Sequence, residues 1–169
     1  MTQNVYEPFN KDIEKFGGYQ YTLPERLSSI RANRRFSDVI IQGASLDGKR
    51  VVDVGCGDGT YTQVLRIETR ATYILGIDPA ELAIDHAKKR GAPRYKDLEF
   101  RQCLATDLVK EGQHFDAAIF RGVIHHVGDP AVEIAVGLKL AQQVFFLEPN
   151  GWNLGLKLLE RFSSYHREH

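Results

Sequence analysis

The chain has 169 residues, 43% of them hydrophobic, and its 22 basic and 22 acidic side chains give a formal net charge of zero. This length and composition fit one globular domain, and the balanced charge gives no general attraction to nucleic acid or to an anionic membrane. Two cysteines are too few for a disulfide framework. Since no apolar run resembles a signal peptide or a membrane span, we expect a cytoplasmic protein with no membrane span and no nucleic-acid partner.

The N-terminal part of the chain is expected to stand apart from the rest. Residues 1–23 hold aromatic residues among polar ones, together with the pair Gly17-Gly18, which predicts an irregular arm with little regular structure. Pro24 suits a first helical turn, and apolar residues at helical spacing predict a helix that continues to about Gln42. Residues 1–45 are therefore expected to form an arm and a cap helix, ahead of one globular unit over residues 46–169.

Short apolar runs alternate with amphipathic segments after this point. The apolar runs predict five strands, at residues 51–54, 73–77, 98–102, 115–120 and 143–147. The segments between and after them predict helices near residues 60–68, 80–90, 129–141 and 152–163. Strict alternation of strands and helices implies right-handed crossovers and a parallel sheet.

A glycine-rich loop follows the first predicted strand in the stretch VVDVGCGDGTYT, with Gly55, Gly57 and Gly59 on alternate positions. In a doubly wound sheet this turn lies at the switch point where ligands bind, and glycine lets the backbone bend tightly and approach a ligand closely. Asp78 ends the second predicted strand. A carboxylate there can accept hydrogen bonds from both hydroxyls of a ribose, so the pattern predicts a nucleoside site.

Two acidic residues distinguish this loop from the dinucleotide fingerprint G-x-G-x-x-G. Asp53 lies inside the strand and Asp58 inside the loop, where two carboxylates would repel a pyrophosphate. A ligand with an ammonium or sulfonium charge fits better. The two carboxylates therefore make an NAD-dependent oxidoreductase a less favoured hypothesis than an enzyme that uses a cationic nucleoside.

Five motifs in order complete the pattern: VVDVGCGDG, GIDPA, CLATDL, FDAAIFRGVIHHVGDP and FFLEP. Together, over about residues 51 to 149, they resemble the class I S-adenosylmethionine-dependent methyltransferases. The resemblance implies a Rossmann-like α/β fold, a three-layer αβα arrangement with a doubly wound parallel sheet in the order 3-2-1-4-5. It also implies methyl transfer from S-adenosyl-L-methionine to an O- or N-nucleophile of a small molecule.

The resemblance further suggests how this sheet ends. Members of the family typically continue with two more strands after the fifth helix, and we expect this chain to lack them. The fifth strand would then be a sheet edge through which a second copy could associate.

Roles in the cofactor site follow from the same resemblance. Gly55, Cys56 and Gly57 resemble the loop that contacts the methionine part of the cofactor through backbone atoms. Asp53 resembles the acidic residue that holds the cofactor's amino group. An alternative for Asp53 is that it caps a neighbouring turn.

The nucleoside part of the site is less regular in this sequence. Asp78 matches the residue that binds the ribose, and Pro79 stands where family members often place an apolar residue against adenine. Many relatives read G-D-A after the third strand, but here Leu104 occupies the Asp position and Ala105 follows it. Either Asp107 contacts adenine or backbone and packing alone hold it.

Methyl transfer chiefly requires that donor and nucleophile be aligned and that water be excluded. A base is needed where the acceptor must lose a proton. Arg121, His125 and His126 follow the fourth strand and are expected at the rim of the cofactor pocket, with His125 or His126 as the candidate base. The alternative is that these histidines only pack or bond the backbone. Since metal-dependent relatives place acidic residues where Arg121 stands, no magnesium site is expected.

Acceptor contacts are predicted from two places. Tyr19 and Tyr21 belong to an aromatic segment that could close over the pocket, and Glu148 and Asn150 end the fifth strand, although either could cap the next helix. The leading hypothesis is a small-molecule methyltransferase. A module that binds S-adenosylmethionine or S-adenosylhomocysteine without catalysis is the main alternative.

Overall fold

A computed structural model describes residues 7–19, 27–91 and 94–148 of the chain. Its centre is a parallel sheet whose five strands lie in the order β3-β2-β1-β4-β5. The strands are β1 (Arg50–Val54), β2 (Tyr73–Asp78), β3 (Leu98–Gln102), β4 (Phe115–Arg121) and β5 (Ala141–Leu147). The predicted strand order is confirmed, and the predicted strands match these bounds closely.

Helices connect the strands and cover the sheet. They are α1 (Glu7–Phe16), α2 (Leu27–Gly43), α3 (Thr60–Glu68), α4 (Glu81–Arg90), α5 (Ala105–Lys110) and α6 (Pro130–Leu140), and a short 3₁₀ turn spans Ile124–His126. Four of them, α2, α3, α4 and α6, match predicted helices. The start of the second predicted helix at Pro24 and the predicted helix at 152–163 lie outside the described residues.

The expectation of an irregular N-terminal arm is wrong for α1. This helix packs on α4: the Asn10 side-chain oxygen accepts a hydrogen bond from the Leu82 backbone N–H at 3.2 Å, and Ile13 packs against buried Ala83. A short helix gains most of its stability from such packing rather than from its own propensity. This part of the arm is therefore helical because it packs on α4, a contact that cannot be predicted from the sequence of the arm alone.

Helix α5 was not predicted either. It has only six residues, too few to show a helical apolar pattern. The Asp107 carboxylate accepts a hydrogen bond from the Leu104 backbone N–H at 3.2 Å, which satisfies one free amide at the start of the helix. The turn after β3 is therefore a capped helix.

Two apolar cores lie on opposite faces of the sheet, which confirms the three-layer arrangement. Successive side chains of a strand point to opposite faces, and accordingly Val51 joins the core formed with α2, α3 and α4. Its neighbour Val52 joins the core formed with α5 and α6. Since Ile40 of α2 is 2% exposed and lies in the first core, the second helix packs directly on the sheet.

Strand register brings the carboxyl ends together at one edge. Val54 pairs with Ile77 on one side and with Phe120 on the other, and Arg121 pairs with Leu147. The carboxyl ends of β1, β2, β4 and β5 are thus neighbours, as expected of a ligand site in an open parallel sheet. Strand β5 is the last in the described sheet. Within the described ranges, no helix is both long and apolar enough to cross a bilayer.

Candidate functional site

The glycine-rich loop leaves β1 in a left-handed backbone conformation. Gly55 has φ of 71° and Gly57 has φ of 55°, values that side chains with a Cβ rarely adopt. Their backbone is also closely covered, because a Cβ on Gly55 would overlap Val123 and one on Gly57 would overlap the Tyr19 ring. The N–H of Gly55 donates to the Ile77 carbonyl at 2.8 Å. The loop is therefore fixed against β2 with bare backbone facing its neighbours.

Asp78 fixes the far side of this loop. One carboxylate oxygen accepts from the Gly57 N–H at 3.0 Å and the other from the Ala80 N–H at 2.8 Å. Burial raises the pKa of Asp78, and the two backbone N–H groups oppose that rise. Each carboxylate oxygen can accept more than one hydrogen bond. The side chain can therefore hold the loop and still accept from ribose hydroxyls.

Asp53 lies beneath the loop and is 4% exposed. The Thr62 hydroxyl of α3 donates to its carboxylate at 2.7 Å. Burial raises the pKa of Asp53 to about 6, while the Thr62 hydrogen bond and the positive charge of Arg121 lower it and the charge of Asp78 raises it further. The sequence pattern did not identify Thr62, because no spacing rule links a helix residue to a strand carboxylate.

Asp58 joins the loop to the N-terminal segment. Its carboxylate accepts from the Thr60 N–H at 3.0 Å and from the Tyr19 N–H at 3.4 Å. Tyr19 is 3% exposed and packs with Ala80 and Ala83. The structure therefore places this tyrosine against Gly57 of the glycine-rich loop. Its predicted contact with the acceptor remains a prediction.

Arg121 connects the end of β4 to helix α2. Its guanidinium donates to the Ser37 hydroxyl at 3.0 Å and to the Asn33 carbonyl at 2.7 Å. It also lies 3.9 Å from the centre of the Tyr61 ring, a cation–π arrangement, and burial raises the pKa of that tyrosine to about 12. These contacts make Arg121 a link that positions α2 over the site. They were not apparent from the sequence, and a cofactor contact of Arg121 remains a prediction.

The turn after β4 contains a histidine–carboxylate pair. His125 Nδ1 lies 2.6 Å from one Glu148 carboxylate oxygen. The other oxygen accepts from the backbone N–H groups of Val123 at 3.0 Å and Ile124 at 2.9 Å. The rings of His125 and His126 have centres 3.9 Å apart. Glu148 is thus bonded to the histidine turn, which sequence reasoning had not foreseen.

The edge predicted to hold adenine consists of the ends of β2 and β3. The Pro79 carbonyl accepts from the Gln102 side chain at 3.1 Å, and Leu104 is 44% exposed while Ala105 is buried. Asp107 caps α5, and one of its carboxylate oxygens lies 3.0 Å from Lys110 Nζ. The hydrogen bonds from Lys110 and from the Leu104 backbone N–H lower the pKa of Asp107. This carboxylate has local partners, and both alternatives for the adenine contact, Asp107 or backbone and packing, remain predictions.

The remaining predicted residues divide into two groups. Cys56 is buried with a free thiol, and burial raises its pKa well above the ordinary value, so its backbone rather than its sulfur is suited to a loop contact. Tyr21 and Asn150 lie outside the described residues.

Comparison with known proteins gives consistent results. A family model described as "Methyltransferase domain" matches residues 51–142. The ubiquinone biosynthesis O-methyltransferase of Hahella chejuensis is 32% identical over 106 residues, which cover 62% of this chain and 44% of that protein. The protein of the same name from Pseudomonas putida is 32% identical over 143 residues, covering 80% of this chain and 61% of that protein. The chain thus spans about half the length of these curated relatives.

A solved structure agrees on the fold. The magnesium protoporphyrin IX methyltransferase of Synechocystis, determined with bound S-adenosylhomocysteine, superposes with a TM-score of 0.69 at 17% identity. The match covers 94% of this chain and 78% of that one.

Proposed function

Because the chain belongs to the methyltransferase domain family, we propose that it binds S-adenosylmethionine at the glycine loop and transfers the methyl group to an oxygen or nitrogen atom of a small molecule. The observation that carries this proposal is the loop itself. Bare backbone at Gly55 and Gly57 lies between two buried carboxylates, Asp53 and Asp78. Close backbone approach combined with negative charge suits a cationic nucleoside better than a pyrophosphate.

The residues fit the parts of this cofactor. Asp53 would accept from the amino group of the methionine part, and ionisation of its carboxylate in a buried position becomes favourable once a positive charge is nearby. Asp78 would accept from the ribose hydroxyls. Backbone atoms at Gly55 to Gly57 would contact the methionine part, and the Pro79 side of the site would contact adenine.

When bound, the cofactor supplies a methyl group already activated by a sulfonium. The protein's own contribution is therefore to orient the acceptor, exclude water and take up a proton where one is released. Helix α2 is tied over the site through Arg121 and Asn33, and Tyr19 lies against the glycine loop. The names of the curated relatives favour an oxygen acceptor.

Calorimetry with S-adenosylmethionine, S-adenosylhomocysteine and NAD tests the first half of the proposal. We expect the first two to bind and NAD not to bind; binding of NAD alone would contradict it. Transfer of a tritiated methyl group to a panel of phenols, alcohols and amines tests the second half. Binding without transfer to any acceptor would instead support the non-catalytic module.

Three further properties belong to the same proposal. The partner is a small-molecule acceptor rather than nucleic acid, supported by the zero formal net charge. A cytoplasmic location is supported by two free, buried thiols. Association of two copies through the edge of β5 is supported by the position of that strand at the end of the described sheet. Sedimentation at increasing concentration tests this association.

A further inference from the structure

We propose that His125 is the general base for a hydroxyl acceptor and that Glu148 is a positioning residue that holds it in the reactive tautomer. This inference rests on the proposed methyl transfer and deepens it, because it selects one histidine, one proton-accepting atom and one acceptor class. It also gives Glu148 a different role from the acceptor contact that its sequence position suggested.

The hydrogen-bond geometry carries the inference. The turn holds the Glu148 side chain, since one carboxylate oxygen accepts from two backbone N–H groups, those of Val123 and Ile124. The second oxygen lies 2.6 Å from His125 Nδ1. A carboxylate only accepts hydrogen bonds, so a neutral imidazole at this distance carries its proton on Nδ1. Its Nε2, across the ring, is then left with the lone pair that a base requires.

The pair lies next to the glycine loop. Val123, one of the two residues whose N–H groups bind Glu148, sits so close to Gly55 that a Cβ there would overlap its side chain. The histidine turn and the loop are therefore in van der Waals contact. The His125 side chain is 45% exposed, which leaves its ring accessible to an acceptor.

The structure distinguishes the two adjacent histidines. His125 bonds a carboxylate that can stabilise the imidazolium formed when the ring accepts a proton. The His126 ring lies against the His125 ring with centres 3.9 Å apart and the planes tilted by 42°. Among the described residues, the Glu148 carboxylate and the His126 ring both contact the His125 ring.

The proton balance selects the acceptor class. In transfer to a hydroxyl, the acceptor oxygen would form a bond to the methyl carbon and the carbon–sulfur bond would break. The electron pair of the broken bond would go to sulfur, so that the sulfonium would become a neutral thioether. The hydroxyl proton passes to His125 Nε2, and water later takes it up. An amine attacks through its free lone pair and can exchange its proton with water before or after the transfer, whereas a hydroxyl has to lose its proton as it attacks. A built imidazole–carboxylate pair is therefore most useful for a hydroxyl.

The tautomer of His125 provides a test that needs no acceptor. Nitrogen-detected histidine spectra of the free protein at alkaline pH, where imidazoles are neutral, are expected to show the Nδ1-protonated form at His125. In Glu148→Gln the amide can still accept from the two backbone N–H groups, but its NH₂ faces Nδ1, so the ring is expected to switch to the Nε2-protonated form. An Nε2-protonated His125 in the unmodified protein would overturn the proposal.

Rates provide the second test, with catechol as the hydroxyl probe. Removing a general base typically costs 100-fold or more in rate, so His125→Asn and Glu148→Gln are expected to lower kcat by about 100-fold, with unchanged S-adenosylmethionine affinity. His114→Asn, an exposed histidine before β4, is the matched control and should retain full activity.

The outcomes separate the two proposals. If the unmodified protein transfers no methyl group to any acceptor, the proposed function fails, while the tautomer spectra still decide whether Glu148 positions His125. If transfer to catechol occurs but His125→Asn keeps its rate, or if His126→Asn lowers kcat more than His125→Asn does, the assignment of the base is wrong.

Discussion

The Thr62 hydroxyl donates a hydrogen bond of 2.7 Å to the Asp53 carboxylate at a position where neither side chain is more than 4% exposed. A buried carboxylate is costly to ionise, and here burial raises the pKa of Asp53 to about 6. The fold therefore retains an acidic group whose charge it does not itself favour. A cationic ligand would stabilise that charge.

Asp53→Asn is expected to stabilise the protein at neutral pH. The pKa of Asp53 is about 6 in the folded state, against an ordinary value of 3.8. At pH values between these two, the folded protein keeps a proton on Asp53 that the unfolded chain has released. Stability consequently falls as pH rises from about 4 to about 6, by about 3 kcal/mol. Asparagine avoids this loss and can still accept from Thr62. Urea unfolding of both proteins at pH 4 and pH 7.5 checks this prediction. The variant should have the larger free energy of unfolding at pH 7.5, and the difference should nearly vanish at pH 4. An equal gain at both would contradict the buried-charge explanation.

Affinity for S-adenosylmethionine should decrease as pH is lowered through about 6. The reason is that the proposed contact to the cofactor's amino group requires ionised Asp53, whose pKa is about 6. Calorimetry at pH 5, 6 and 7 measures the effect, which is at most about tenfold per pH unit for one proton. Asp53→Asn should bind more weakly at pH 7 and depend less on pH.

Asp78→Ala should weaken S-adenosylmethionine binding by at least about tenfold. The change removes the proposed ribose contact and the bonds to the Gly57 and Ala80 N–H groups, and one hydrogen bond to a charged group is worth roughly 1.5 to 3 kcal/mol. Asp85→Ala removes an exposed carboxylate from α4 and serves as the control. An affinity within about twofold of the unmodified protein would show that Asp78 does not bind the ribose.

Gly57→Ala should destabilise the protein mainly through Tyr19. The added Cβ would overlap the tyrosine ring, and overpacking of this kind costs about 1 to 3 kcal/mol, in addition to the strain of a positive φ. In a Tyr19→Ala background the same change should cost only that strain, about 1 to 2 kcal/mol. Chemical unfolding of the unmodified protein, the two single variants and the double variant measures these free-energy differences as a double-mutant cycle.

Gly112→Ala is the matched control for this cycle. Gly112 has φ of 71°, but a Cβ there meets nothing within 4 Å. The change should therefore cost the backbone strain alone. If Gly57→Ala costs no more than Gly112→Ala, Tyr19 does not cover the loop in solution.

Local patterns predicted most of the fold. Short stretches of sequence contain the strand and helix periods, and they also show Gly55 after one buried strand and Asp78 at the end of the next. These local features were enough to predict the sheet, the loop and the family resemblance. Helix α1 was missed because Asn10 and Ile13 gain their partners from α4. Helix α5 was missed because six residues are too few to show a period.

The amino-acid sequence by itself determined the alternating α/β architecture, the strand order through the family resemblance, and the residues of the glycine loop. Only the tertiary structure decided which side chains meet. It paired His125 with Glu148, which are 23 residues apart, Asp53 with Thr62, and Arg121 with Asn33 of α2. The physical reason is that periodicity and turn chemistry describe one strand, helix or turn at a time. These contacts arise where one element folds back on another: α3 packs back on β1 in the Asp53–Thr62 pair, and the ends of β4 and β5 lie side by side in the sheet near the His125–Glu148 pair.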